Sequence, residues 1–401
     1  MRFPRAVAYF TVVLIAAFAV CAGLCAPDSA PKPYSVVYKF PPITPEIQAK
    51  IDKAANPIFS DITYGLGGKA LVLPNVDGGV VIVEDGKGRE IAPPQNAEQV
   101  GRMGTLSADG RSLYYFKPKS ANAPVNGGTI FTLDLVTGAG KTISAIDWEP
   151  RSAMLSPDGA RLADDRLVSR PFNLSLLDLT TGKRIASELA AQSDAQALAF
   201  RSYFERANMW ALGWDKSSSA LYVLRNEDGA VVNSTGSMDA TLVTKTVGPP
   251  SEFGTWSVGK PGFSHIMSFN GHSGPNTTAI SPTGEIVYMN GKAEVYVASG
   301  DKSRKVGKLT SVVIRMLVSP SGKYLLVTCT SSKGETGFTV LDLTCGKSYS
   351  ELKAPASPDD PASMNIQPGT WRPTQDKFLV GYSDAKGNVE IREFGAAELV
   401  K

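Results

Sequence analysis

Histidine is the residue type that this sequence most nearly lacks. Only His265 and His272 occur among 401 residues, and both lie within the stretch FSHIMSFNGHSGPN at 263–276. Two imidazoles alone make a poor metal site unless carboxylates lie nearby. No cofactor motif occurs elsewhere in the chain. We therefore expect neither a metal centre nor a cofactor.

Cysteine is almost as scarce, with four residues, two of them near the N-terminus. Cys329 ends the strand-like segment KYLLVTCT, and Cys345 follows the returning segment FTVLDLT. An antiparallel pair of these segments is expected to place Cys329 opposite about Thr339, which leaves the two cysteines about 20 Å apart along the strands. A disulfide needs Cα atoms within about 7 Å. We predict that both cysteines remain thiols.

The chain also lacks an apolar run of bilayer length, which requires about 20 residues. The apolar run from Ala6 to Ala19 follows Arg2 and Arg5 and precedes small residues, which is the pattern of an export signal. We predict a signal peptide at 1–24, a proline-rich tether at 25–33 and an exported chain, periplasmic or secreted, with no membrane span after cleavage. An uncleaved N-terminal anchor is the alternative.

Excess charge of either sign is absent as well. With the two arginines of the predicted signal set aside, 39 of the 41 basic residues remain against 38 acidic ones. No basic block is interleaved with aromatic residues, so nucleic acid is not an expected partner.

Turn residues and internal repeats are what the sequence has in abundance. Its 38 glycines and 27 prolines are spread along the chain. Four segments share an apolar residue, a Ser-X-X-Gly turn and a strand of mostly alternating apolar positions. They are LSADGRSLYYF (106–116), LSPDGARLADD (155–165), ISPTGEIVYMN (280–290) and VSPSGKYLLVT (318–328), with weaker copies at 213–224 and 371–382.

A second repeated element follows three of these turns. It reads IFTLDLVTGAGK (130–141), LSLLDLTTGKR (174–184) and FTVLDLTCGKS (338–348). Each unit is therefore predicted to be an antiparallel meander of about four strands, and an N-terminal unit at 69–91 brings the total to about seven, with six or eight as alternatives. The prediction is an all-β chain with a single β-propeller at 34–401. An open ring would expose strand edges, so the segment YSVVYKF (34–40) is predicted to close the ring by completing the last sheet.

The Ser-Pro-Asp-Gly turn at 156–159, followed by Leu-Asp-Leu-Thr-Thr-Gly-Lys at 177–183, resembles the WD-repeat-like propeller repeats of exported bacterial proteins. Similar repeats occur in TolB-type proteins and in the propellers of prolyl-oligopeptidase-type enzymes. The resemblance covers residues 60–396 and implies a propeller fold. It does not imply a particular function, because such repeats serve scaffolds and enzymes alike. The chain departs from the pattern at 229–275, where no clear motif occurs.

Two stretches are candidates for a site. In GHSGP at 271–275, Pro275 occupies the position at which a serine-hydrolase motif needs its second glycine, so the stretch is interpreted as a loop. We place this loop at the rim of the channel, where His265 and His272 could contact a ligand. The second stretch, at 199–215, is an aromatic cluster with two interpretations, a ligand-binding site or blade-to-blade packing. Its proposed ligand residues are Arg201, Tyr203, Arg206, Trp210 and Trp214, the arginines favouring an anionic partner.

The expected function is a non-enzymatic exported propeller that binds a protein, peptide or envelope polymer through its channel rim. No catalytic residues are assigned. The alternative is an enzyme with its site in the channel, like the lactonase- or lyase-type propellers, which would need His265, His272, Glu205 and Arg206 to converge. A role in a larger envelope assembly is a third hypothesis.

Overall fold

The computed structural model describes residues 33–42, 44–46, 62–74, 79–91, 104–118, 128–146, 153–165, 174–187, 207–227, 250–258, 260–269, 271, 273–357, 359–360 and 363–401. These residues form seven four-stranded antiparallel sheets arranged as a seven-bladed β-propeller. Helix is almost absent from them, and no helix in the described ranges is long and apolar enough to cross a membrane. The predicted fold class and the number of blades are confirmed.

The first four sheets follow one another along the chain, each strand pairing with the next. Sheet 1 contains β2 (Thr63–Gly65), β3 (Ala70–Pro74), β4 (Val80–Glu84) and β5 (Lys87–Ile91). Sheet 2 contains β6 (Gly104–Leu106), β7 (Ser112–Pro118), β8 (Gly128–Asp134) and β9 (Gly140–Ile146). Sheet 3 contains β10 (Ala153–Leu155), β11 (Arg161–Asp165), β12 (Leu174–Asp178) and β13 (Arg184–Ser187). Sheet 4 contains β14 (Ala207–Trp214), β15 (Ala220–Glu227), β16 (Glu252–Ser257) and β17 (Lys260–Ser268).

The last three sheets complete the ring. Sheet 5 contains β18 (Thr278–Ile280), β19 (Ile286–Met289), β20 (Glu294–Ser299) and β21 (Lys302–Lys308). Sheet 6 contains β22 (Val312–Val318), β23 (Tyr324–Thr330), β24 (Thr336–Asp342) and β25 (Ser348–Lys353). Sheet 7 contains β26 (Asn365–Trp371), β27 (Lys377–Ser383), β28 (Val389–Gly395) and the N-terminal β1 (Tyr34–Lys39). A single helical turn, α1 (Ala396–Leu399), follows β28.

The first strands of the sheets are innermost in the ring. β2 contacts β26, β6 contacts β10, and β18 contacts both β14 and β22. Because the strands of a sheet alternate in direction, first-to-second and third-to-fourth turns lie at one end of the ring, which we call the turn face. Second-to-third hairpins and the connections between sheets lie at the opposite end, which we call the connection face.

The repeated motifs form the turn face, as their sequences predict. In the first motif the Ser107 hydroxyl oxygen accepts the Ser112 N–H at 2.9 Å, and the Gly110 N–H donates to the Ser107 carbonyl at 2.8 Å. In the Leu-Asp-Leu element, Asp134 Oδ1 accepts the N–H groups of Val136 and Thr137, each at 2.9 Å. These backbone donors, Thr137 first, lower the pKa of Asp134 to about 2.

The ring is closed by a strand from the other end of the chain. β1 pairs antiparallel with β28, from Tyr34 opposite Phe394 to Lys39 opposite Glu390, and takes the outermost position in sheet 7. At the seam with sheet 1, the Tyr64 hydroxyl donates to Glu393 Oε1 at 2.6 Å. The segments predicted as signal peptide and tether lie outside the described residues, apart from Pro33.

The two cysteines are free thiols, as predicted, but the predicted register of their hairpin was wrong by two residues. Cys329 lies opposite Gly337, whereas Thr339 lies opposite Val327. The difference arises because both strands continue to Thr330 and Thr336, which shortens the loop. Cys329 is buried, with its Sγ 3.7 Å from Thr339 Oγ1.

Candidate binding face

The polar groups of the turn face are used to join neighbouring sheets. The N–H groups of Leu66 and Gly67, at the end of β2, donate to the carbonyls of Gly110 and Asp109 at 3.1 and 2.8 Å. Between sheets 3 and 4, the Asp158 N–H donates to Ser218 Oγ at 3.0 Å. Because these groups bond to the neighbouring sheet, they have a structural role.

The connection face carries the long connections of the chain. The connection from Ser187 to Ala207 and the one from Glu227 to Glu252 both border sheet 4, and a third runs from Lys39 to Thr63. Connections longer than about 12–15 residues are uncommon in compact domains and are often functional. Arg201, Tyr203 and Arg206 belong to the first of them and lie outside the described residues. In the sequence, Arg206 is the residue that precedes β14.

The stretch that contains Ser273 is a tightly bonded turn. The side chain of Ser273 is buried, and its Oγ lies 2.8 Å from Thr278 Oγ1 and 3.1 Å from the carbonyl of Thr277. Its N–H donates to Ser251 Oγ at 2.8 Å, and a 3-10 turn at Pro275–Thr277 then leads into β18. This geometry agrees with the interpretation of the stretch as a loop, because the hydroxyl is enclosed and hydrogen-bonded.

The structure places His265, the one described histidine, away from the innermost strands. His265 is exposed on β17, the outermost strand of sheet 4, with its Nε2 3.3 Å from Ser268 Oγ. His272 lies outside the described residues. Sequence proximity to β18 suggested a rim position for both. His265 instead lies on the strand of sheet 4 farthest from the channel, three residues before that strand ends at Ser268. In the described part of the chain, no group of three or more His, Cys, Asp or Glu could hold a metal ion.

The two tryptophans lie on the innermost strand of sheet 4 but face opposite ways. A register shift between Ala211 and Gly213 separates them. Trp214 packs toward sheet 3, and its indole N–H donates to the Met154 carbonyl at 3.0 Å. Trp210 is half-buried and packs toward sheet 5. Trp214 is therefore a seam residue, while Trp210 lies in the half of β14 that is closer to the connection face.

Sequence reasoning missed two apolar side chains on the innermost strand of sheet 6. Val312 is 37% exposed and Ile314 is 38% exposed, at the connection-face end of β22. The turn at Pro275–Thr277 contacts both β14 and β22, so it links Trp210's strand to theirs. We call Trp210, Val312 and Ile314 the apolar rim. The sequence VVIRMLV shows an apolar strand, but it does not show which of its side chains are exposed.

The comparisons with known proteins support the fold. No protein-family model matches the chain, and no curated protein matches it significantly. Oligogalacturonate lyase from Vibrio parahaemolyticus is 14% identical, with 86% of this chain and 91% of that chain covered and a TM-score of 0.54. The β-propeller domain of Cps50 (Swd1) from Myceliophteria thermophila is 14% identical, with 84% and 97% covered and a TM-score of 0.49. TolB from Acinetobacter baumannii is 11% identical, with 83% and 62% covered and a TM-score of 0.35.

Proposed function

We propose that this chain is an exported, non-enzymatic β-propeller that binds a protein or peptide at the apolar rim of its connection face. The observation that carries the proposal is the exposure of Val312 and Ile314 on an innermost strand. Neighbouring apolar side chains that are left exposed on a surface are typical of binding sites. The turn face, whose polar groups join the sheets, is the scaffold that holds this surface in place.

A photo-crosslinking residue at position 314 tests the site directly. We expect it to capture a partner in the cell envelope that normally surrounds the protein. The same residue at Val136 is the matched control, because Val136 is 50% exposed but lies in a turn on the opposite face. Equal capture from both positions, or capture from position 136 alone, would place binding elsewhere. Export is tested separately, by cell fractionation and by N-terminal sequencing of the mature chain, which we expect to begin near residue 25.

The alternative function is an enzyme with its site in the channel. That hypothesis used His265 as one member of its catalytic set, and the position of His265 on the outermost strand of sheet 4 argues against that set. Turnover of a small substrate that disappears in a single variant of a channel residue would replace the binding proposal.

A further inference from the structure

The connection-face halves of sheets 5 and 6 present exposed charge of one sign. Five lysines are exposed there: Lys292 in the β19–β20 hairpin, Lys305 and Lys308 on β21, Lys333 in the β23–β24 hairpin, and Lys353 at the end of β25. We call them the lysine group. The chain as a whole is close to balanced in charge, so this is a local excess.

The carboxylates in the same region are half-buried and already accept hydrogen bonds. Glu294 accepts from the Lys305 ammonium at 2.6 Å, and Glu335 accepts from the Ser331 hydroxyl at 3.0 Å. Glu351 accepts from the Tyr349 hydroxyl at 3.5 Å. These three acids therefore offset part of the charge of the five lysines.

The lysine group lies at the same end of the ring as Val312 and Ile314. In sheet 6, Val312 pairs with Thr330, Thr330 with Thr336, and Thr336 with Lys353, which forms one row across the connection-face end. Adjacent strands lie about 4.8 Å apart, so Lys353 is about 14 Å from Val312 along this row. An extended peptide of a few residues spans that distance. The exposed acids Asp359 and Asp360 mark the border of this surface toward sheet 7.

We propose that the partner of this face is an acidic polypeptide segment that carries an apolar side chain. The apolar side chain would contact Val312 and Ile314, and the carboxylates would lie over the lysine group. An acidic polysaccharide would match the lysines but would leave the two exposed apolar side chains without an apolar contact, so the surface favours a polypeptide. This inference rests on the binding function proposed above.

The test compares lysines at opposite ends of the same strands. The variant Lys308→Glu/Lys353→Glu reverses two charges of the lysine group. The control Lys302→Glu/Lys347→Glu reverses two exposed charges at the turn-face ends of β21 and β25. The probe is a short fluorescent peptide of glutamate and leucine, measured by anisotropy. Because rim charges govern association and its salt dependence, we expect the first variant to weaken binding about tenfold and the control to leave it unchanged.

Three results would overturn the inference. They are a peptide that does not bind the unmodified protein, equal binding to the two charge variants, and tighter binding of polygalacturonate or of a glutamate–glutamine peptide than of the glutamate–leucine peptide. The crosslink from position 314 separates this inference from the proposed function. If that crosslink persists in Lys308→Glu/Lys353→Glu, the rim binds a partner by other chemistry. If it never forms, the proposed function itself fails.

Discussion

Two glycines at equivalent positions of the Ser-X-X-Gly turns should respond differently to the same substitution. Gly110 in sheet 2 and Gly322 in sheet 6 both have positive φ, +67° and +77°. A Cβ added at Gly322 meets nothing within 4 Å. A Cβ added at Gly110 would lie 2.7 Å from the Leu66 nitrogen and 2.8 Å from the Gly65 Cα. One position is open, whereas the other touches the backbone of sheet 1.

The expected magnitudes follow from these contacts. In both variants the alanine must adopt a left-handed backbone conformation, which lowers the free energy of unfolding by about 1–2 kcal/mol. Gly110→Ala adds an overpacking cost of about 1–3 kcal/mol, because the contacted atoms are backbone and cannot rotate away. The hydrogen bonds from Leu66 and Gly67 to this turn, at 3.1 and 2.8 Å, would also lengthen. We therefore expect Gly110→Ala to lower the free energy of unfolding by about 1–3 kcal/mol more than Gly322→Ala does.

Urea unfolding followed by tryptophan fluorescence measures this difference. Hydrogen exchange at the Leu66 and Gly67 amides locates it, since both should lose protection in Gly110→Ala and keep it in Gly322→Ala. Equal destabilisation by the two substitutions would refute the argument that the first turn is a contact between blades.

Three further predictions concern closure and electrostatics. Tyr64→Phe removes the hydroxyl that donates to Glu393, so it should lower the free energy of unfolding by about 1.5–3 kcal/mol, and an unchanged unfolding curve would contradict this. Deleting 34–40 should lower the melting temperature by exposing the edge of β28, whereas an unchanged value would show that β1 is dispensable. The carboxylate of Asp134 has a pKa of about 2, below its unfolded value, so its contribution to stability is complete above that unfolded value and is lost as the pH falls toward 2. Asp134→Asn should abolish that part of the loss of stability at acid pH. An NMR titration of the unmodified protein that gives Asp134 a pKa near 4 would contradict this prediction.

The fold could be predicted because its repeats encode local geometry. A serine hydroxyl that accepts a backbone N–H, followed by a glycine with positive φ, produces the same turn wherever it occurs, as at Ser107 and Ser156. The region without a motif, 229–275, still supplies β16 and β17 of sheet 4. Its strands were harder to predict because they carry no turn signature of this type.

Register and orientation were less predictable than strand existence. The hairpin of Cys329 extends two residues further than expected, since Thr330 and Thr336 still pair across it. The bulge between Ala211 and Gly213 reverses the side of the strand on which Trp214 lies relative to Trp210. A bulge of this kind depends on contacts with neighbouring strands, which a pattern of apolar residues does not record.

The same contrast, between strands that could be predicted and side-chain positions that could not, applies to the candidate site. His265 lies only seven residues before His272 in the sequence, yet it is on the outermost strand of sheet 4. The chain runs from the innermost to the outermost strand of each sheet and returns to the channel only at the first strand of the next sheet. Val312 and Ile314 gave no signal, since a strand with apolar residues on both faces is equally compatible with full burial.

The seams explain why the function should reside in positions that the repeats do not share. Trp214 and Trp371 both donate their indole N–H to a carbonyl on the innermost strand of the preceding sheet, at 3.0 and 2.9 Å. Arg89 and Arg304, on the outermost strands of sheets 1 and 5, likewise donate to a carbonyl in the next sheet. Side chains that recur at equivalent places are thus committed to joining blades. A partner that recognises one side of a ring must therefore contact residues that differ from blade to blade. Val312, Ile314 and the lysine group, which carry the proposed site, lie outside the repeated elements at 280–290, 318–328 and 338–348.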